Sequence, residues 1–252
     1  MIGSVIIAAT AAFAASAVNA IAGGGTFISF PTLTGALGLT EKLANATSTV
    51  GLWPGYAAGV LAARDDLASV PRDALTRLTI VSVAGGAAGG AMLLLTPAGL
   101  FRDVVPVLLA IGTILFALGP RLNRRLDGGD SLTAPSVASM PILFAVAIYN
   151  GYFGAGGGVL VIAGLTATGI HDARRANIFK MLVQVTSNAA AVAVLSWSGI
   201  AWSDAAAMIP GAIAGGFVGM RLANRMPRQM LRGIVLATGA LLTVYYGAKV
   251  YG

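Results

Sequence analysis

Two apolar stretches of about 35 residues, 2–37 and 135–169, constrain this chain most, because about 20 helical residues already cross a bilayer core about 30 Å thick. Each stretch holds one crossing plus a half helix. Each is also broken near its middle by glycines, Gly23-Gly24-Gly25 in the first and Gly154-Ala155-Gly156-Gly157-Gly158 in the second. Six further apolar segments, 43–63, 75–96, 104–119, 176–198, 204–222 and 230–251, have the length of single spans. In hydrocarbon an unpaired backbone polar group costs several kcal/mol, so a broken helix survives only inside protein or beside a wet cavity. Two such breaks predict an internal cavity.

Composition agrees with a membrane protein. Only 10% of the side chains are charged and 57% are hydrophobic, whereas a soluble domain carries roughly 25% charge. A soluble enzyme is excluded. The net charge of +7 sits in short clusters between apolar runs, the pattern of cytoplasmic loops rather than of a nucleic-acid surface. With no cysteine and one histidine, disulfides, thiolate sites and His-based metal sites are not expected. No cofactor is implied, and there is no GxxxxGK[ST] loop for nucleotide hydrolysis. Ala15-Ser16-Ala17 resembles a signal-cleavage site, but no basic segment precedes it, so a retained first span is expected.

Lys and Arg accumulate on the cytoplasmic side, which lets two topologies be compared. If both long stretches turn back to the side they entered, Arg64, Arg72, Arg77, Arg121, Arg124, Arg125, Arg174, Arg175, Lys180, Arg221, Arg225, Arg228 and Arg232 lie inside, against Lys42, Arg102 and Lys249 outside. If each crosses once, Arg64, Arg72, Arg77, Arg121, Arg124, Arg125 and Lys249 are inside and the other nine outside. The hairpin topology is the better one and places both termini outside. Three crossings follow each hairpin, so the second half enters the membrane inverted.

The halves share an order of features. Asn19 and Asn150 precede the glycine clusters, a half helix and a charged turn follow, Ala44-Asn45 and Ala176-Asn177 open the next helix, and a glycine-rich span comes later. The expected fold is an all-α polytopic membrane protein of two inverted repeats, each a glycine-broken hairpin followed by three transmembrane helices. The divisions are 1–120, a cytoplasmic linker at 121–134, and 135–252.

Ala22-Gly23-Gly24-Gly25-Thr26-Phe27-Ile28-Ser29-Phe30-Pro31, then Ala44-Asn45-Ala46-Thr47-Ser48, then the cluster from Gly154 to Gly158, resemble the sulfite exporter TauE/SafE family of integral membrane permeases. The resemblance implies transport of a small sulfur-containing oxyanion, such as sulfite or an organosulfonate, across a bacterial inner membrane.

Half helices starting after the glycines point a positive dipole end into the bilayer, where it suits an anion. Candidate substrate-binding residues around them are Asn19, Gly23, Gly24, Gly25, Thr26, Asn150, Gly156, Gly157 and Gly158. Lys180, Gln184 and Asn188 follow at helical spacing beside Asn177, and Asn45, Ser48, Thr49 and Tyr56 form a strip on the corresponding helix, with Trp53 as a second aromatic candidate. A buried lysine costs a few kcal/mol, so Lys180 calls for an anionic partner or for snorkelling to the interface. All nine carboxylates fall in turns or at span edges, which leaves none for a midplane proton relay. These residues fit a secondary anion transporter; a passive anion channel, or a carrier of another small anion such as a carboxylate, uses the same features. Gly85/Gly89, Gly86/Gly90, Gly211/Gly215 and Gly215/Gly219 permit close helix contact, within one chain or in a homodimer.

Overall fold

In the computed structural model, which describes residues 2–68, 70–122, 134–197, 199–223 and 228–252, the described chain is helical throughout. The first glycine break separates α1 (Ile2–Ile21) from α2 (Thr26–Pro31), which widens into a π turn over Thr32–Ala36. Pro31 brings no N–H to that turn. The hydroxyls of Thr32 and Thr34 reach back to the carbonyls of Ile28 (2.8 Å) and Phe30 (3.0 Å). Then come α3 (Glu41–Ala62), the short α4 (Arg64–Leu67), α5 (Arg72–Leu95) and α6 (Ala98–Leu122). The second half contains α7 (Met140–Tyr152), α8 (Gly157–Ala167), α9 (Ala173–Leu195), α10 (Trp202–Leu222) and α11 (Arg228–Tyr251). Five described helices, α1, α5, α6, α9 and α10, are long and apolar enough to cross a membrane. Where the sequence suggests a full span before the second break, α7 has only 13 residues, against 20 in α1. Most of the expected linker, residues 123–133, lies outside the described residues, as does Arg225.

Both breaks reverse the chain. A Cβ on Gly25 would strike the carbonyl of Ala15 and the Cβ of Asn19, so the segment after the break folds back along α1. One on Gly157 would strike the side chain of Asn150 in the same way. Gly23 (φ +89°), Gly154 (+76°) and Gly156 (+73°) take the left-handed backbone that such reversals require and that side chains resist.

Charged ends meet in two groups. Arg174 pairs with Asp66 at 2.7 Å, and a groove beside them also takes in Arg221. At the other end Lys249 pairs with Glu41 (3.2 Å), the Lys42 ammonium donates to the carbonyls of Leu94 (3.0 Å) and Thr96 (2.6 Å), and the Tyr251 hydroxyl donates to the carbonyl of Asp103. Gly3, Ala36, Leu37 and Asp204 line one crevice, so the first hairpin leaves on the side where it begins. A single crossing by each long stretch puts Arg174 opposite Asp66 and Lys249 opposite Glu41. Contacts this short do not span a bilayer core about 30 Å thick.

Packing partners exchange between halves. Helix α10 lies on α1 and α3, while α5 lies on α7 and α9. Small residues make each contact close: Gly211, Gly215 and Gly219 face Ala9, Phe13 and Ala17, and Gly85 and Gly89 face the backbone of α7. Gly86 meets Ser187, and Gly216 meets Gly55. The spaced glycines are thus taken up by contacts within the chain. Large apolar side chains such as Ile6, Ile80, Ile114 and Val244 face outward, as a lipid-facing surface requires.

Candidate functional site

The two breaks meet at the centre. A Cβ on Gly158 would lie 2.6 Å from the Gly23 Cα, so the backbones touch where no side chain fits. Beside this contact lies a narrow cavity of about 10 Å³, roughly the room one water needs. Its walls are Thr26, Asn45, Ser48, Thr49, Leu52, Tyr56, Asn150, Phe153, Gly154, Gln184 and Asn188. Eight of these are residues that the sequence nominates: Thr26, Asn45, Ser48, Thr49, Tyr56, Asn150, Gln184 and Asn188. Nearly all the liners are buried. None of the eleven is charged.

Bonding around the cavity is specific. The Asn45 amide donates through Nδ2 to the Tyr152 carbonyl (2.9 Å). Thr49 spends its hydroxyl proton on the Asn45 carbonyl (2.9 Å), and the Ser48 and Ser29 hydroxyls share a bond at 2.7 Å. Asn188 donates to the Gln184 carbonyl (2.8 Å). Among the described residues no partner bonds Asn45 Oδ1 or Asn150 Nδ2, although both atoms are buried. Phe153, at the second break, stacks edge-on against Phe30 with ring centroids 5.6 Å apart. The Tyr149 hydroxyl donates to the Ala155 carbonyl (2.6 Å) and pins the same turn.

Several expected roles are relocated. Lys180 is fully buried and does not snorkel. Its ammonium donates to the carbonyls of Asn19 (2.8 Å) and Ala20 (3.0 Å), at the negative dipole end of α1. Asn19 and Gln184 exchange two side-chain bonds, at 3.0 and 3.2 Å, and fasten the end of α1 to α9 next to the cavity wall. Trp53 is not a liner, because its indole N–H donates to the Val185 carbonyl (3.0 Å) between α3 and α9. Asn177 donates to Met220 Sδ (3.4 Å) and lines the groove with Arg174 and Arg221 instead. Gly24 faces Val235 and Phe116, away from the cavity.

The half-helix ends offer fewer free donors than the sequence suggests. Phe27, Ile28 and Ser29 donate to the carbonyls of Gly24 and Gly25, and Gly157, Val159 and Leu160 donate to those of Gly154 and Gly156. The donors left to the cavity are mostly side chains. Sequence reasoning missed Leu52, Phe153 and Gly154 as liners. Gly154 belonged to the noted cluster and Phe153 directly precedes it, but Leu52 reads as an interruption of a polar strip.

Asn45 and Asn177 hold equivalent places near the starts of α3 and α9, as do Ser48 and Lys180. Asn45 and Ser48 line the cavity, whereas on α9 the liners are Gln184 and Asn188 and Lys180 turns to the end of α1.

Known proteins resemble this one along most of its length. A probable membrane transporter protein, ORF9, from Sinorhizobium sp is 24% identical over 236 residues, 93% of this chain and 88% of the relative. The probable membrane transporter protein YfcA of Escherichia coli K12 is 26% identical over 241 residues, 92% of this chain and 85% of its own. A probable membrane transporter protein of Haemophilus influenzae is 28% identical over 234 residues, covering 92% and 89%. The model of the family described as sulfite exporter TauE/SafE matches residues 8–246. With that span taking in both helix breaks and nearly all of the chain, this multi-pass membrane protein belongs to the sulfite exporter TauE/SafE family.

Proposed function

We propose that this membrane transporter is a secondary carrier that exports a small sulfur-containing anion, such as sulfite or an organosulfonate, by alternating access around the central cavity. The observation that carries the reading is a buried cavity at the meeting of two helix breaks, lined by neutral amides and hydroxyls and by no carboxylate. Asn45, Ser48, Thr49, Tyr56, Asn150, Gln184 and Asn188 contact the substrate, with Thr26 at the head of α2. Lys180 acts from behind, holding α1 and contributing positive charge. The exchanged packing of the halves supports an inverted-repeat reading, in which one half rocks against the other. The fold sits in a bacterial inner membrane with both termini outside, which puts the Arg174 face in the cytoplasm.

Outward movement needs no proton relay. An inside-negative potential is worth about 2.3 kcal/mol per charge per 100 mV, enough for roughly fiftyfold accumulation of a monoanion outside. A cavity this narrow, among buried side chains, favours a carrier over an open channel. Counterflow in proteoliposomes tests this: unlabelled sulfite or sulfonate on one side accelerates entry of the labelled anion from the other. Large unitary currents without exchange make the protein a channel, and exchange of carboxylates alone removes the sulfur anion.

A further inference from the structure

We infer that the cavity selects a monoanion that itself carries a hydrogen-bond donor: hydrogen sulfite rather than the sulfite dianion, or a sulfonate bearing a hydroxyl near its charged end. The inference rests on the reading of the cavity as the anion site and adds the protonation state of its occupant. Asn45 is 1% exposed, and its Nδ2 is committed to the Tyr152 carbonyl at 2.9 Å. Turning the amide over sets oxygen against oxygen, so Oδ1 is fixed as the free polar atom of a cavity-lining residue. No described residue donates to it. Thr49 adds a second acceptor, because its own proton is spent on the Asn45 carbonyl. A bare oxyanion only accepts, and it presents oxygen to both.

Other liners suit the charge. Asn150, 2% exposed, keeps Nδ2 unengaged by any described residue, and the Tyr56 hydroxyl lines the same space. An occupant with an oxygen toward Asn150 Nδ2 and an O–H toward Asn45 Oδ1 satisfies both buried atoms. A dianion leaves Asn45 Oδ1 unpaired and brings a second charge into a cavity with no charged liner.

The test compares two sulfonates that stay ionised throughout the working pH range, ethanesulfonate and 2-hydroxyethanesulfonate, by calorimetric titration of the purified full-length protein in detergent. The wild type binds the hydroxylated anion about tenfold or more tighter. In Asn45→Val the two affinities converge. Total sulfite is titrated in parallel at several pH values. Its apparent affinity falls as hydrogen sulfite loses its proton, while that of 2-hydroxyethanesulfonate stays level. Equal affinity for both sulfonates in the wild type, or sulfite affinity that does not change through that ionisation, overturns the donor requirement and leaves the anion site standing. Binding of neither sulfonate, nor of sulfite at any pH, overturns the anion site and this inference together.

Discussion

Replacing Lys180 with methionine keeps most of the side chain's length and removes its charge. The ammonium bonds two carbonyls at the end of α1, and the two losses differ. The Asn19 carbonyl also accepts from Gly23 N–H at 3.0 Å, so it keeps a partner. The Ala20 carbonyl has no other donor among the described residues and is left buried and unpaired, a cost of about 1–3 kcal/mol. The charge-assisted bonds themselves are stronger, but methionine also escapes the desolvation of a buried cation, and these two terms largely offset. A net loss of about 1–3 kcal/mol corresponds to about 2–12 °C in melting temperature for a chain of this size. Loosening the end of α1 also disturbs Asn19 and its pair Gln184, a cavity liner, so anion affinity falls with stability. Thermal unfolding in detergent and anion titration read both effects. A melting temperature within a degree of wild type together with unchanged affinity means that Lys180 does not hold α1.

Other substitutions probe the frame. Gly23→Ala combines a positive φ, about 1–2 kcal/mol, with overlap onto the Gly158 backbone, and is expected to abolish transport and lower folded yield; full activity shows that the breaks do not touch. Gly216→Val drives a side chain into the Gly55 carbonyl and should separate α10 from α3, visible as loss of monodisperse protein on size exclusion. Arg174→Ala removes an exposed ion pair and should change stability by less than about 1 kcal/mol, with transport retained. Because the chain has no cysteine, Gly99→Cys and Asp65→Cys report orientation. An impermeant thiol reagent applied to intact cells should label only Gly99→Cys, labelling of Asp65→Cys alone inverts the orientation, and labelling of both removes the two-sided arrangement.

Much of this architecture is legible from apolar length and from glycine. The overlong segments and their clusters fix where helices break, since hydrocarbon punishes exposed backbone at each of those points. The charge count chooses a hairpin topology, and the Asp66–Arg174 and Glu41–Lys249 pairs later agree with it. Helical spacing also collects Asn45, Ser48, Thr49 and Tyr56 on one wall. What spacing does not provide is the direction of each bond across the bundle. Trp53 is one residue from Leu52, yet Leu52 faces the cavity and Trp53 faces α9. Asn177 sits at the same place in its helix as Asn45, yet it bonds Met220 and opens onto a different groove, while Lys180 on the same helix reaches the end of α1. A lysine in an apolar helix invites an anionic ligand as partner. The end of a broken helix, with its exposed carbonyls, is an equally good partner and lies closer.

Two asparagines separate a substrate held in the cavity where the breaks meet from one held elsewhere. Titration of wild type, Asn150→Leu and Asn177→Leu with one sulfonate compares a cavity donor with a residue outside the cavity, each variant checked for an unchanged elution profile. Asn150→Leu is expected to lose about tenfold or more in affinity and Asn177→Leu none. Unchanged affinity in Asn150→Leu, or an equal loss in both, contradicts a substrate held in the cavity.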